Sequence, residues 1–201
     1  MKKVEKTEIT VNRILSYAIE EFGKNGYTNG KINNICRQGI NKGLIYHNFK
    51  DKDALYMVCL KKSCERMVAY LHERACTMDF MQYMRARSGF IAEFPNEAFI
   101  FFEAVLEPQE HLKPAIEEIM REFEQMNEEV CKNTLKQVKL RDGISYEEAI
   151  GYFRQMQDMF NAYFNSSAYR EIPFEEKLKV HENDIPKLVD YLLYGIAKGD
   201  V

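Results

Sequence analysis

Proline is scarce and late, five residues in 201 with the first at Pro95. Nothing upstream of it removes a backbone donor, so that stretch can run helical without interruption. Cysteine is present but without pattern: Cys36, Cys59, Cys64, Cys76 and Cys131 are odd in number, and no pair has the two-residue spacing of a zinc knuckle or redox motif. They are expected to be buried apolar thiols in a reducing compartment, with no metal and no cofactor. No stretch approaches the roughly 18 apolar residues of a membrane helix, so no membrane partner is expected. The run Met1-Lys2-Lys3-Val4-Glu5-Lys6 has charges but no apolar region behind them, which argues against a secretory signal and for the cytoplasm. Alternating runs that would signal strands are missing, as are repeats and low-complexity tracts. Also missing are a Ser/His/Asp set, a glycine-rich phosphate loop and a His-Glu metal motif. The four histidines, His47, His72, His111 and His181, are scattered, none at metal-ligand spacing from a carboxylate. An enzyme is therefore not expected, although an all-helical one has no required sequence signature.

What is present is a hydrophobic share of 46%, sufficient for a core, and an uneven charge. Residues 1–52 hold ten Lys or Arg against five acids, a net +5. With −3 overall, the remainder carries −8. A basic head on an acidic body is the asymmetry of a chain whose one end meets phosphates. A solvated charged face is the plainer alternative.

Apolar residues recur at helical spacing nearly throughout, so the expected class is all-α with about nine helices. Val11, Ile14, Leu15, Ala18 and Phe22 give a first helix from about Thr7 to Lys24, stopped by Asn25-Gly26. A short second helix starts at Gly30-Lys31 and ends at Gly39. A third runs from Asn41, an N-cap type, to His47. Asp51 caps a long fourth helix. The fifth covers Asp79 to Ala92, and Pro95 and Pro114 open the sixth and seventh. The seventh reaches Val138, before Asp142-Gly143. Ser145-Tyr146-Glu147-Glu148 has capping-box form and starts the eighth. Asn165 to Glu182 reads as a connection, and the ninth helix carries Ile185 to Ile196, ending at Gly199.

Residues 31–47 fit two short helices about a tight turn, the second exposing small and polar side chains. That is the form of a helix-turn-helix whose second helix enters the major groove. The residues Ile14, Ala18, Phe22, Gly26, Tyr27 and Ile35, followed by Lys42-Gly43-Leu44-Ile45-Tyr46-His47-Asn48-Phe49-Lys50-Asp51-Lys52-Asp53-Ala54-Leu55, resemble the DNA-binding head of the TetR family. The likeness covers about 45 residues. It departs in one place: Ile35-Cys36 reaches Lys42-Gly43 through five residues, one fewer than is usual, and Gly30 stands where a Thr or Ser commonly caps.

The resemblance implies a three-helix head at 1–52 and a ligand-binding and dimerisation body at 53–201. Tyr46 and His47 would face DNA, Leu44 the base edges, Asn41, Lys42 and Gly43 the backbone at the helix start. Lys52 would contact a phosphate and Lys31 would assist, with Ile45 and Phe49 in the core. Singly, Tyr46 reads equally as a packed tyrosine, His47 as an idle surface residue, and the lysines as solvating. The body is dense in aromatics and methionine. By the resemblance, Phe90, Phe94, Phe102, Phe123, Met156 and Phe160 would line a cavity for a small hydrophobic or aromatic effector, ordinary packing being the alternative. Helices eight and nine would pair in a homodimer that reads a near-palindromic double-stranded DNA operator, with repression the expected outcome. The rival is a helical protein-binding module with a degenerate DNA-binding head.

Overall fold

The computed structural model describes residues 3–75 and 79–195. Among them the regular structure is nine α-helices and one 3-10 turn, with no strand. The helices are α1 (Lys3–Asn29), α2 (Ile32–Arg37), α3 (Lys42–Asn48), α4 (Lys52–Arg74), α5 (Phe80–Glu93), α6 (Pro95–Leu106), α7 (Lys113–Leu135), α8 (Tyr146–Phe164) and α9 (Phe174–Tyr194), with the 3-10 turn at Glu110–Leu112. The all-α expectation holds. Cys76, Ile196 and Gly199, and the first two residues of the Met1-to-Lys6 run, lie outside the described residues.

The described residues pack as two units, each with its own core. The first takes α1 to α3, most of α4, the end of α5, α6 and the start of α7. Here the stripe read from the sequence is buried: Ile14, Leu15, Ala18 and Phe22 on α1, joined by Leu55, Tyr56, Cys59 and Leu60 on α4. Helix α6 is mostly apolar and largely enclosed, with Ala98, Ile100, Phe101, Phe102, Ala104 and Leu106 all buried. Pro95 opens it at a position where a missing N–H costs nothing. Asp51 caps α4 as expected, its Oδ1 accepting the Ala54 N–H at 2.8 Å.

The second unit takes the end of α4, most of α5, the rest of α7, α8 and α9. Its apolar cluster of Cys131, Leu135 and Ala149 gathers Val138, Tyr146, Ile150, Phe153 and Leu193. The capping box at the start of α8 forms: the Ser145 hydroxyl accepts the Glu148 N–H at 3.2 Å, and the Glu148 carboxylate accepts the Ser145 N–H at 2.9 Å. Ser145→Ala is expected to lower stability by about 1 kcal/mol in urea denaturation, with Ser145→Asp close to wild type.

Several expected boundaries move, α1 among them, which begins at Lys3 and resumes past its break at Gly26 to Asn29. Helix α7 ends at Leu135 rather than near Val138, which packs on the cluster from the following loop. The cap position of α2 is Lys31, not Gly30, and no side chain of its own caps it. Glu21 on α1 does so instead, its Oε1 accepting the Lys31 N–H at 2.9 Å and the Asn34 amide at 2.8 Å. The largest correction is α9, which begins at Phe174, inside the stretch read as a connection, and contains Pro186. Its buried face there is made of Lys177, Leu178, His181 and Glu182. Three of those four are polar or charged, so hydrophobic periodicity could not reveal the helix.

Candidate nucleic-acid interface

The turn between α2 and α3 is four residues, Gln38 to Asn41. Gly39 takes φ 83°, a left-handed value that lets the chain reverse without a Cβ penalty. Ile40 is buried beneath it, and Asn41 caps α3 by accepting the Gly43 N–H at 2.8 Å. The spacing that is one residue short thus accommodates a six-residue α2, a left-handed glycine and an intact cap.

Helix α3 is two-sided. Ile45 is 1% exposed and Phe49, just past its end, 7%, so both hold the helix down on the core. Lys42, Gly43, Leu44, Tyr46 and His47 are all exposed, with Tyr46 at 46%. That exposure removes the reading of Tyr46 as a packed core tyrosine. The Lys42 ammonium lies 6.0 Å from the Tyr46 ring centre, adding charge beside a large flat surface. Lys31 is exposed as well.

Lys52 sits differently. It is half-buried at the first turn of α4, with Nζ 4.5 Å from the Tyr27 ring centre and 3.5 Å from the Thr28 carbonyl oxygen. Burial pulls its ammonium below the usual lysine range, against the opposing pull of Asp53, Glu103 and Glu21. Tyr27 donates its hydroxyl to Asp53 at 2.5 Å, and His111 Nε2 lies 3.1 Å from the other Asp53 oxygen. Desolvation, and then the Asp53 contact, push the Tyr27 phenol up to about 12. The start of α4 is therefore pinned to the segment that leads into the helix-turn-helix.

The junction itself rests on a residue that the sequence did not single out. At Gly26 the helix α1 is broken, with φ 70° and ψ 176°. The Tyr27 N–H freed by this break donates to both oxygens of Glu103 on α6, at 2.9 and 3.0 Å, and the Tyr56 hydroxyl donates to Glu103 Oε2 at 3.1 Å. A Cβ on residue 26 would fall 2.4 Å from Glu103 Oε1. Only glycine supplies both the backbone angle and the space. Burial pushes the Glu103 carboxyl up to about 7, in spite of its two donors. A glutamate set between Phe102 and Ala104 in an apolar run was the available signal.

The expected effector residues are all core or near-core. Phe90 and Phe102 are fully buried, and Phe94 is half-buried, its ring 5.4 Å from that of Phe90 and 5.0 Å from the Arg66 guanidinium. These three belong to the first unit, whereas Phe123, Met156 and Phe160 belong to the second. Two histidines do meet carboxylates, His111 with Asp53 and His181 with Glu182. Among the described residues, however, no three metal-capable side chains gather. Nor is any helix of theirs long and apolar enough to cross a membrane.

An exposed short helix carrying Lys42 and His47, set after a tight turn, has the form of a helix-turn-helix. Residues 14–57 match the family described as bacterial regulatory proteins, tetR family. The HTH-type transcriptional regulator UidR of Escherichia coli (strain K12) is 34% identical over 91 residues, 45% of each chain. The HTH-type transcriptional repressor Rv1474c of Mycobacterium tuberculosis is 33% identical over 72 residues, 34% of this chain and 38% of that protein. The chain spans less than half the length of these curated relatives. Among solved structures, the transcriptional regulator FadR from Bacillus subtilis, in complex with stearoyl-CoA, shares the fold at a TM-score of 0.61 and 15% identity. That match covers 92% of this chain and 98% of that one. NalD of Pseudomonas aeruginosa, the secondary repressor of the MexAB-OprM multidrug efflux pump, gives 0.52 and 19%, covering 98% and 100%. Over residues 14–57 the chain is thus similar to tetR-family regulatory proteins, and its helical fold is shared with these solved structures.

Proposed function

We propose that this protein is a ligand-responsive transcription regulator, a repressor that binds a near-palindromic operator as a homodimer and leaves it on taking up a small apolar effector. Residues 1–52 form the DNA-binding head and 53–201 the sensing and dimerising body, working in the cytoplasm. The observation that carries the reading is the exposed face of α3, Lys42 to His47, within a head of net charge +5. Tyr46, His47 and Leu44 meet the base edges and sugars of the major groove. Lys42, Gly43 and Asn41 follow the backbone at the helix start, and Lys31 adds charge at the edge. Lys52 holds one phosphate from its seat on Tyr27, beside the N-terminus of α4.

Dimerisation is supported by apolar side chains left in the open on two neighbouring helices. Tyr152, Met159 and Tyr163 recur along one side of α8 and are 59%, 61% and 52% exposed; Tyr191 and Tyr194 on α9 are 50% and 64% exposed. Such a stripe is unusual on a surface that meets only water. A two-fold pairing there sets two recognition helices one DNA turn apart, roughly 34–36 Å. Effector binding acts by favouring a different spacing of the heads, with leverage equal to its differential affinity for the two states.

The test is selection from random duplex DNA by the full chain, followed by a salt titration on the enriched site. The expected result is a palindrome whose affinity falls steeply with salt, the logarithmic slope being about −0.9 per phosphate neutralised. Tyr46→Ala should weaken binding at least roughly tenfold and relax sequence preference, as loss of a base-proximal contact does. Lys42→Ala should weaken all sequences alike and reduce the salt slope by about one. No enrichment at low salt from folded protein would refute the reading.

A further inference from the structure

Inside the second unit lies a charged centre that packing alone does not require. Arg87 on α5 is 5% exposed and is held in a two-point ion pair by Glu182 on α9, Nε to Oε2 at 2.9 Å and Nη2 to Oε1 at 2.5 Å. Tyr83, one turn earlier on α5, accepts from Arg87 Nη1 at 3.4 Å and donates to Asn127 on α7. His181, 2% exposed, puts Nδ1 3.0 Å from Glu182 Oε1 and Nε2 3.0 Å from Asn161 Oδ1 on α8. Around this polar knot stand aromatic rings. Phe123 lies 5.7 Å from the guanidinium, Phe160 stacks on His181 at 5.1 Å, and Phe164 meets His181 edge-on at 5.0 Å.

A buried ion pair is poor value as a structural device, since an apolar pair of equal volume commonly stabilises as well or better. What it does provide is a planar guanidinium shaped for a carboxylate and shielded from water, with an internal carboxylate already seated on it. We propose that Arg87 is the anchor of the effector site, and that the effector is an anionic amphiphile whose carboxylate displaces Glu182 while its apolar tail lies among Phe123, Phe160 and Met156. This deepens the regulator reading and rests on its assignment of the body as the sensing part.

Displacement has a charge consequence. In the free protein Arg87 and Glu182 balance, Glu182 being held ionised near 2 despite its burial. Burial keeps the His181 imidazole below its usual range, hence neutral at pH 7. Adding an anion leaves one uncompensated negative charge in a dry core. Its remedy is already in contact: His181 takes up a proton and becomes the new partner of Glu182. Asn161 can serve either state of the ring by turning its amide, since one face accepts and the other donates. The groups facing His181 are Arg87 from α5, Asn161 from α8, and Glu182 and Asp184 from α9. Lys177, buried one turn earlier on α9, is common to both states. Between the low pKa of His181 in the free protein and its raised value in the complex, affinity therefore falls about tenfold per pH unit as pH rises.

The experiment titrates the full chain with dodecanoate, and with dodecanol as the uncharged control, by calorimetry in buffers of different ionisation enthalpy. No DNA is present, so a chain that selects no operator can pass this test and one that selects an operator can fail it. Dodecanoate should bind at least roughly tenfold more tightly than dodecanol near pH 7, with uptake of one proton, as the guanidinium contact and the charge balance require. Glu182→Gln frees Arg87 of its internal competitor, so it should tighten dodecanoate binding and abolish proton uptake. The paired change Arg87→Met with Glu182→Met keeps the volume apolar and the fold intact, and it should bind acid and alcohol alike. Equal binding of the two by wild type, no binding of dodecanoate, or a preference for the acid that survives in the paired variant would each overturn the proposal.

Discussion

Gly23→Ala should destabilise the protein by about 3 kcal/mol, the upper part of the range for forcing extra atoms into a filled contact. Gly23 lies on α1 where α6 begins. A Cβ there would sit 2.4 Å from Asn96 Cβ, 2.5 Å from Asn96 Cα and 2.8 Å from the Asn96 carbonyl oxygen. Two of those three atoms are backbone, so no rotamer change relieves the overlap, and α1 must move away from α6. The core between these helices, including Phe22, Phe101 and Phe102, would loosen with it. For a chain of this size the thermal midpoint should drop by roughly 6 to 12 °C. Adding Asn96→Gly removes one of the three clashes and should recover only a minority of the loss. Complete recovery, or a single variant within about 0.5 kcal/mol of wild type, would show that the helices do not meet backbone to backbone there.

The second large effect is a pH dependence located at Glu103. Its folded-state carboxyl stands at about 7 against an ordinary value of 4.5, burial being the cause. A raised acid binds its proton more tightly in the folded protein than in the unfolded chain. Its contribution is therefore fully present below about 4.5 and is lost as pH rises through about 7. At 1.36 kcal/mol per pKa unit, the loss is on the order of 3 kcal/mol. Glu103→Gln, which keeps one acceptor for the Tyr27 N–H and carries no charge, should flatten that part of the profile. It should gain about 1 kcal/mol or more over wild type at pH 8, the amide's unmatched donors taking back part of the benefit. Urea denaturation of both proteins from pH 5 to pH 8 reads the difference directly. Parallel profiles would mean that the carboxyl is ionised throughout and stabilised by its two donors. In the regulator proposed above, operator affinity should follow the same pH window, because Glu103 binds the peptide N–H of Tyr27.

Much of this molecule was legible without coordinates, for reasons tied to particular residues. The stripe Ile14, Leu15, Ala18 and Phe22 buries as its 3.6-residue spacing requires, and Ser145 with Glu148 closes the box that their spacing announces. Asn41 and Asp51 cap the helices they precede. These are local rules, satisfied within a turn or two of the chain. The exposed face of α3 was also legible, because Ile45 and Phe49 must point inward and their neighbours must then point outward.

What stayed hidden were the places where polar groups are buried. The first turns of α9 looked like a connection because Lys177, His181 and Glu182 occupy its inner face, and a pattern of apolar residues carries no information about a buried ion pair. The partners Arg87 and Glu182 are 95 residues apart, and Glu103 lies 76 residues from the backbone N–H it receives. Gly23 appears in the sequence as one more helix-weakening residue. Only the approach of Asn96 shows why a side chain cannot stand there. The class, most of the helices and the outward face of α3 followed from the sequence, because spacing and capping act over a few residues. Tertiary structure alone decided which buried charges meet and which glycine is obligatory, because burial turns distant polar groups into partners that must find one another or remain unsatisfied.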